Sequence, residues 1–124
     1  MKLQTIFNKV AKHLLTQNAK SDNHSVEDAD EAYCLYRSPD GYKCAVGALI
    51  KDKYYSYKLE NLNVQQEIVQ KALKKSLDME ITDEVINLLV ALQVVHDDSE
   101  PSHWEVELEE VANHFNLKPY KKAS

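Results

Sequence analysis

Two cysteines and five histidines are the residues of this chain best suited to chemistry, and their spacing limits what they can do. Nine residues separate Cys34 from Cys44, and His96, His103 and His114 follow far downstream. Structural zinc sites use much tighter ligand pairs. The spacing therefore favours two small buried hydrophobes over a metal pair. Thiol catalysis has little support either. Cys34 falls in an extended run, away from any helix N-terminus, and no Cys-x-x-Cys pair exists. A hydrolase elbow, a P-loop and a dinucleotide glycine fingerprint are absent, and two glycines could not build the last two. No metal and no cofactor is expected, and a binding protein is favoured over an enzyme.

Three further groups are candidates for binding. His96 and Asp97 sit at the end of an apolar helical run, where the helix dipole and a neighbouring carboxylate favour a protonated imidazole. Such a pair suits acid/base work, a pH switch or a simple helix ending. Arg37, Asp40, Tyr42 and Lys43 surround a Pro39-Asp40-Gly41 turn, where the cations and the tyrosine suit an anion or a partner's carboxylates. The third group is acidic. The chain has net charge −5, and the 42 residues from Ser76 to Leu117 hold eleven acids with no Lys or Arg. Glu105 and Glu109 belong to this stretch. Uncompensated acids repel one another, so they fit a surface that faces a basic partner. The overall acidity disfavours direct nucleic-acid binding.

The elements that must position these residues follow from apolar periodicity. Leu3, Ile6, Phe7, Val10, Leu14 and Leu15 predict an amphipathic helix over 3–17. Residues 18–31 are polar and predict a surface loop. Two β-prone runs then flank the Pro-Asp-Gly turn. Pro presets φ, and Gly supplies the positive φ of a hairpin loop with a bulge. This register pairs Ser38 with Tyr42, Tyr36 with Cys44, and Cys34 with Val46. Cys34, Tyr36, Cys44 and Val46 then share the inner face, while Arg37 and Lys43 share the outer face.

Asn63 reads as the N-cap of a helix running to Leu77, with Val64, Ile68, Ala72 and Leu73 buried. Thr82 caps the next helix, with Ile81 and Ile86 as a hydrophobic staple. That helix is apolar nearly all round and should be central. Ser102-His103-Trp104-Glu105 reads as a capping box opening a last helix that buries Trp104, Leu108, Val111, Ala112 and Phe115. The fold class is mainly α (α+β): one domain over 1–124, with four to five helices and one β-hairpin. Residues 118–124 should fray. No run is long and apolar enough for a membrane span, and the N-terminal residues lack a signal peptide's apolar stretch. With two cysteines only, a cytoplasmic location is expected.

The turn segment is also distinctive as a motif. Cys34-x-Tyr36-Arg37-x-Pro39-Asp40-Gly41-x-Lys43-Cys44-Ala45-Val46-Gly47-x-Leu49-Ile50 resembles a motif in small uncharacterised proteins of bacteriophages and prophages. Leu92-Gln93-x-x-His96-Asp97, followed by Trp104, is similar to those proteins too. The likeness spans roughly residues 3 to 117. It implies a phage origin and a host-cell setting, and it assigns no activity and no catalytic residue. The reading that follows is an accessory protein that binds and modulates a host protein with a basic surface, such as a defence or nucleic-acid enzyme. The alternative is a small-ligand binder or metal-dependent enzyme using the hairpin and the His96 region.

Overall fold

The computed structural model describes residues 2–22, 35–60 and 62–120. Among the described residues the chain forms four α-helices joined by turns: α1 (Leu3–Gln17), α2 (Glu67–Leu77), α3 (Asp83–Asp98) and α4 (Trp104–His114). None of these helices is long and apolar enough to cross a membrane.

Helix α1 occupies the predicted span and buries Ile6, Phe7, Val10, Ala11 and Leu14. It stops at Asn18, which takes the left-handed conformation (φ 49°) that asparagine tolerates, and its N–H bonds Leu14 O. Helix α3 is capped as predicted, with Thr82 Oγ1 accepting from Val85 N–H at 3.3 Å. Its buried face is Val85, Leu88, Leu89, Leu92, Val95 and His96. It is not apolar all round in use, because Val90 and Val94 face outward. Helices α1, α3 and α4 pack against one another around Trp104, which is fully buried.

Two helix starts differ from prediction. Asn63 does not cap α2. Its side chain accepts from Gln65 N–H in a local turn, and the helix begins at Glu67. Val64 is therefore buried from a turn rather than from the helix, and the buried stripe becomes Val69, Ala72, Leu73, Ser76 and Leu77, with Ile68 exposed. Ser102 forms no capping box. Pro101 starts a 3-10 turn over Pro101–His103 instead, and α4 follows without a side-chain cap. Trp104, Leu108 and Ala112 are buried on α4 as expected, with Val111 and Phe115 partly so.

Among the described residues the predicted β-hairpin is not a pair of strands. Its register holds over the turn: Ser38 N–H bonds Tyr42 O at 2.9 Å and Cys44 N–H bonds Tyr36 O at 3.2 Å. Gly41 takes φ 94°, as the turn requires. The turn is closed by an isolated antiparallel bridge, Arg37 with Lys43, and no strand exists among the described residues. The physical reason is competition for the ladder groups. Tyr36 N–H and Arg37 N–H donate to the Glu60 carboxylate, and Lys43 N–H donates to Gln17 Oε1. Cys44 C=O accepts from Ala48 N–H, starting a tight turn that continues as the 3-10 turn Gly47–Leu49. Val46 is thereby turned helical rather than extended. A β-carbon at Gly47 would lie 2.1 Å from Tyr36 O, so only glycine allows this close return. The inner-face assignment of Tyr36, Cys44 and Val46 survives, since all three are buried. Cys34 lies outside the described residues.

Two predicted surface segments are tied down where described. Ser21, in the predicted loop 18–31, is fully buried, and the remainder of that loop from residue 23 lies outside the described residues. At the far end Lys118 exchanges two bonds with Gln4, and Tyr120 packs partly against the core.

Candidate functional site

The turn and the end of α3 meet through Ser21. Its N–H donates to His96 Nε2 at 2.9 Å, and its hydroxyl reaches Leu35 O at 2.6 Å and Tyr42 O at 3.1 Å. One hydroxyl proton serves one of these carbonyls at a time. A backbone N–H can only donate, so His96 Nε2 carries no proton. The proton sits on Nδ1 and is donated to Asp97 Oδ1 at 2.7 Å. The protonated imidazole expected at this helix end is therefore replaced by a neutral one. The ring is fully buried and stacks on Trp104 at 5.6 Å. With both nitrogens engaged and no exposure, His96 fastens α3 to the turn and presents no proton to a substrate.

Asp97 also accepts from Gln93 Nε2 at 2.8 Å, while Gln93 Oε1 takes the Val46 N–H. A cleft of about 230 Å³ opens beside this network, lined by Tyr36, Cys44, Glu60, Gln93 and Asp97 among others. Its groups are largely occupied. Glu60 receives Tyr36 N–H, Arg37 N–H and the Tyr55 hydroxyl. Burial, and then the bond to Glu60, push the Tyr55 hydroxyl up to about 12. Cys44 Sγ accepts from Gly47 N–H at 3.3 Å, and burial raises its pKa, so the thiol is held protonated. Burial raises Tyr36 likewise, and its hydroxyl donates to Leu62 O.

Of the two residues predicted to face outward, Arg37 has its side chain folded back onto the protein. Arg37 donates to Ile50 O at 2.8 Å, pairs with Asp52 at 2.8 Å and lies 4.4 Å over the Tyr55 ring. It staples the turn to the following segment. Lys43 is held by its backbone: its carbonyl accepts from His13 Nε2 at 2.8 Å and Gln17 Nε2 at 2.9 Å. Burial lowers the pKa of His13, which suits its role as a neutral donor. Asp40 is exposed and accepts from the Ser38 hydroxyl, and Tyr42 contributes its carbonyl to Ser38 and Ser21. Glu105 and Glu109 stand exposed on α4, apart from this network. Among the described residues no three His, Cys, Asp or Glu side chains group as a metal site.

Sequence reasoning missed Ser21, Gln93 and Glu60, which hold the turn. Their only signal is polarity next to buried segments. It also left Tyr54, Tyr55 and Tyr57 unplaced. These line two 3-10 turns, Asp52–Tyr54 and Tyr57–Leu59, that pass beside α2. Comparison of the chain with protein-family models, with curated proteins and with solved structures gave no match.

Proposed function

We propose that this chain is a small phage-type accessory protein that acts by binding another protein, its acidic α3–α4 half facing a basic surface on the partner. A host defence or nucleic-acid enzyme is the kind of partner that presents such a surface. The observation that carries the reading is the composition of that half. Eleven acids stand without a Lys or Arg between Ser76 and Leu117. Glu105, Glu109 and Glu110 are exposed on α4. Val106 is 62% exposed between them, and Val94 on α3 is 48% exposed. Exposed apolar side chains set among acids suit an interface with a charged rim. The same acids repel phosphate backbones, so this half faces protein rather than nucleic acid. The motif around the turn supports a phage origin, and the host cytoplasm is then its setting.

The test uses tagged protein and its Glu105→Lys/Glu109→Lys variant, each incubated with host lysate at low and high salt. A partner retained by the wild-type chain, released by salt and lost with the variant is expected. An identical set of captured proteins from both forms would refute the reading. The small-ligand alternative has one observation in its favour: the 230 Å³ cleft joins turn residues to Gln93 and Asp97. A panel of nucleotides and metals that leaves the thermal midpoint unmoved discards it.

A further inference from the structure

A second concave surface has the opposite charge. The 3-10 turns Asp52–Tyr54 and Tyr57–Leu59 and the outer side of α2 enclose a cleft of about 400 Å³. Lys53, Lys58, Lys71 and Lys75 line it together with Tyr54 and Tyr55, and no carboxylate does. Its floor is apolar, with the buried Leu59 and Ala72 and the half-exposed Ile68. Lys53 and Lys75 lean on the Tyr54 ring, at 5.0 and 5.9 Å from its centre. Glu67 reaches Lys71 at 3.5 Å on the exposed surface, an ion pair of little strength. Tyr57 lies between Ser56 and Lys58, both of which line the cleft, and it is 77% exposed.

We infer that this cleft binds single-stranded nucleic acid, with phosphates on the lysines and a base stacked on Tyr57. Four ammonium groups around one concavity repel each other, only Lys71 has a carboxylate partner among the described residues, and a bound anion would lower that repulsion. The exposed ring of Tyr57, next in the chain to two residues of the lining, offers what nucleic acid needs and a simple anion does not. The overall acidity of the chain, which disfavours nucleic acid when taken as a total, is located elsewhere. Residues 51–75 hold six lysines and three acids. Of those acids Asp52 is paired with Arg37, and Glu60 is taken up by Tyr55 and two backbone amides. An acidic peptide is the competing occupant. It is less favoured because it would leave the exposed Tyr57 ring without a base to stack on. Duplex is disfavoured because a second strand would leave the single concavity and lose the stacking face. The inference is independent of the protein partner proposed for α3–α4.

The test is fluorescence anisotropy of the whole chain with a labelled oligothymidine of about ten nucleotides, alongside a duplex of equal length and poly-glutamate. Binding of the single strand is expected to weaken with salt on a log–log slope of about −3, as four phosphate contacts imply. Lys58→Ala and Lys75→Ala should each flatten that slope by about 0.7. Tyr57→Ala should weaken binding about ten-fold without changing the slope, and Tyr57→Phe should restore it. Lys12→Ala, on the exposed side of α1, should change nothing. These positions are on the surface, and an unchanged thermal midpoint verifies folding. The inference is overturned if the oligothymidine does not bind, if poly-glutamate or duplex binds as tightly, or if Tyr57→Ala has no effect. Equal poly-glutamate binding would reassign the cleft to an acidic peptide.

Discussion

Single polar residues hold this fold at the points where regular structure fails. Ser21, itself fully buried, joins the turn to α3 through its amide and hydroxyl. Ser21→Ala keeps the amide bond to His96 and removes the hydroxyl donor from Leu35 O and Tyr42 O. A loss of about 1 kcal/mol in urea unfolding is expected, since the part-buried Leu35 O loses this donor while Tyr42 O keeps the Ser38 N–H. His13 gives the pH dependence a definite sign. Burial lowers its pKa below the ordinary 6.5, and the bond to the Lys43 carbonyl offsets this only in part. The unfolded chain then takes up the proton more readily than the folded one. The stability this histidine contributes is complete above the ordinary value and is lost as pH falls through it. Unfolding measured on either side of 6.5 should show a smaller acid loss for His13→Gln than for the wild-type chain.

At the level of elements, the outer face of α4 carries acids that repel one another. Glu105 and Glu109 are one turn apart and repel, with Glu110 beside them. Glu109→Lys places a cation four residues after Glu105. It should raise unfolding stability by roughly 0.3–1 kcal/mol, while weakening capture of a basic partner. A gain in stability joined to a loss of binding is what a surface shaped for interaction shows. The helices were also the part of the fold most open to sequence reasoning. The bounds of α1 follow from a stripe contained within its own residues, and the cap of α3 follows from Thr82 three residues before Val85. The turn register was readable because Pro39, Asp40 and Gly41 fix the backbone locally. The missing strands were not readable. Glu60 and Gln17, which take the ladder groups, lie more than twenty residues from the bonds they capture. The candidate site suffered the same way. Arg37 and His96 carried signals of charge, but their partners are distant in the chain: Ser21 for His96, and Ile50, Asp52 and Tyr55 for Arg37.

Taken whole, the chain is acidic in one stretch and rich in lysine in another. Eleven acids lie between Ser76 and Leu117 without a Lys or Arg, while six lysines and three acids lie in residues 51–75, on α2 and around the tyrosine turns. A protein of net charge −5 ordinarily passes through a cation exchanger at neutral pH. This one presents a concave lysine patch to the resin as well as an acidic flank. It should therefore be retained at low salt on both a quaternary-amine column and a phosphocellulose column. Lys58→Ala/Lys75→Ala should release it from the second while leaving the first unchanged. Passage of the wild-type chain straight through phosphocellulose would show that a single averaged charge describes its surface after all. The lysine-lined cleft thus makes the protein a two-signed adsorbent, whose sticking behaviour depends on which side it turns to a surface.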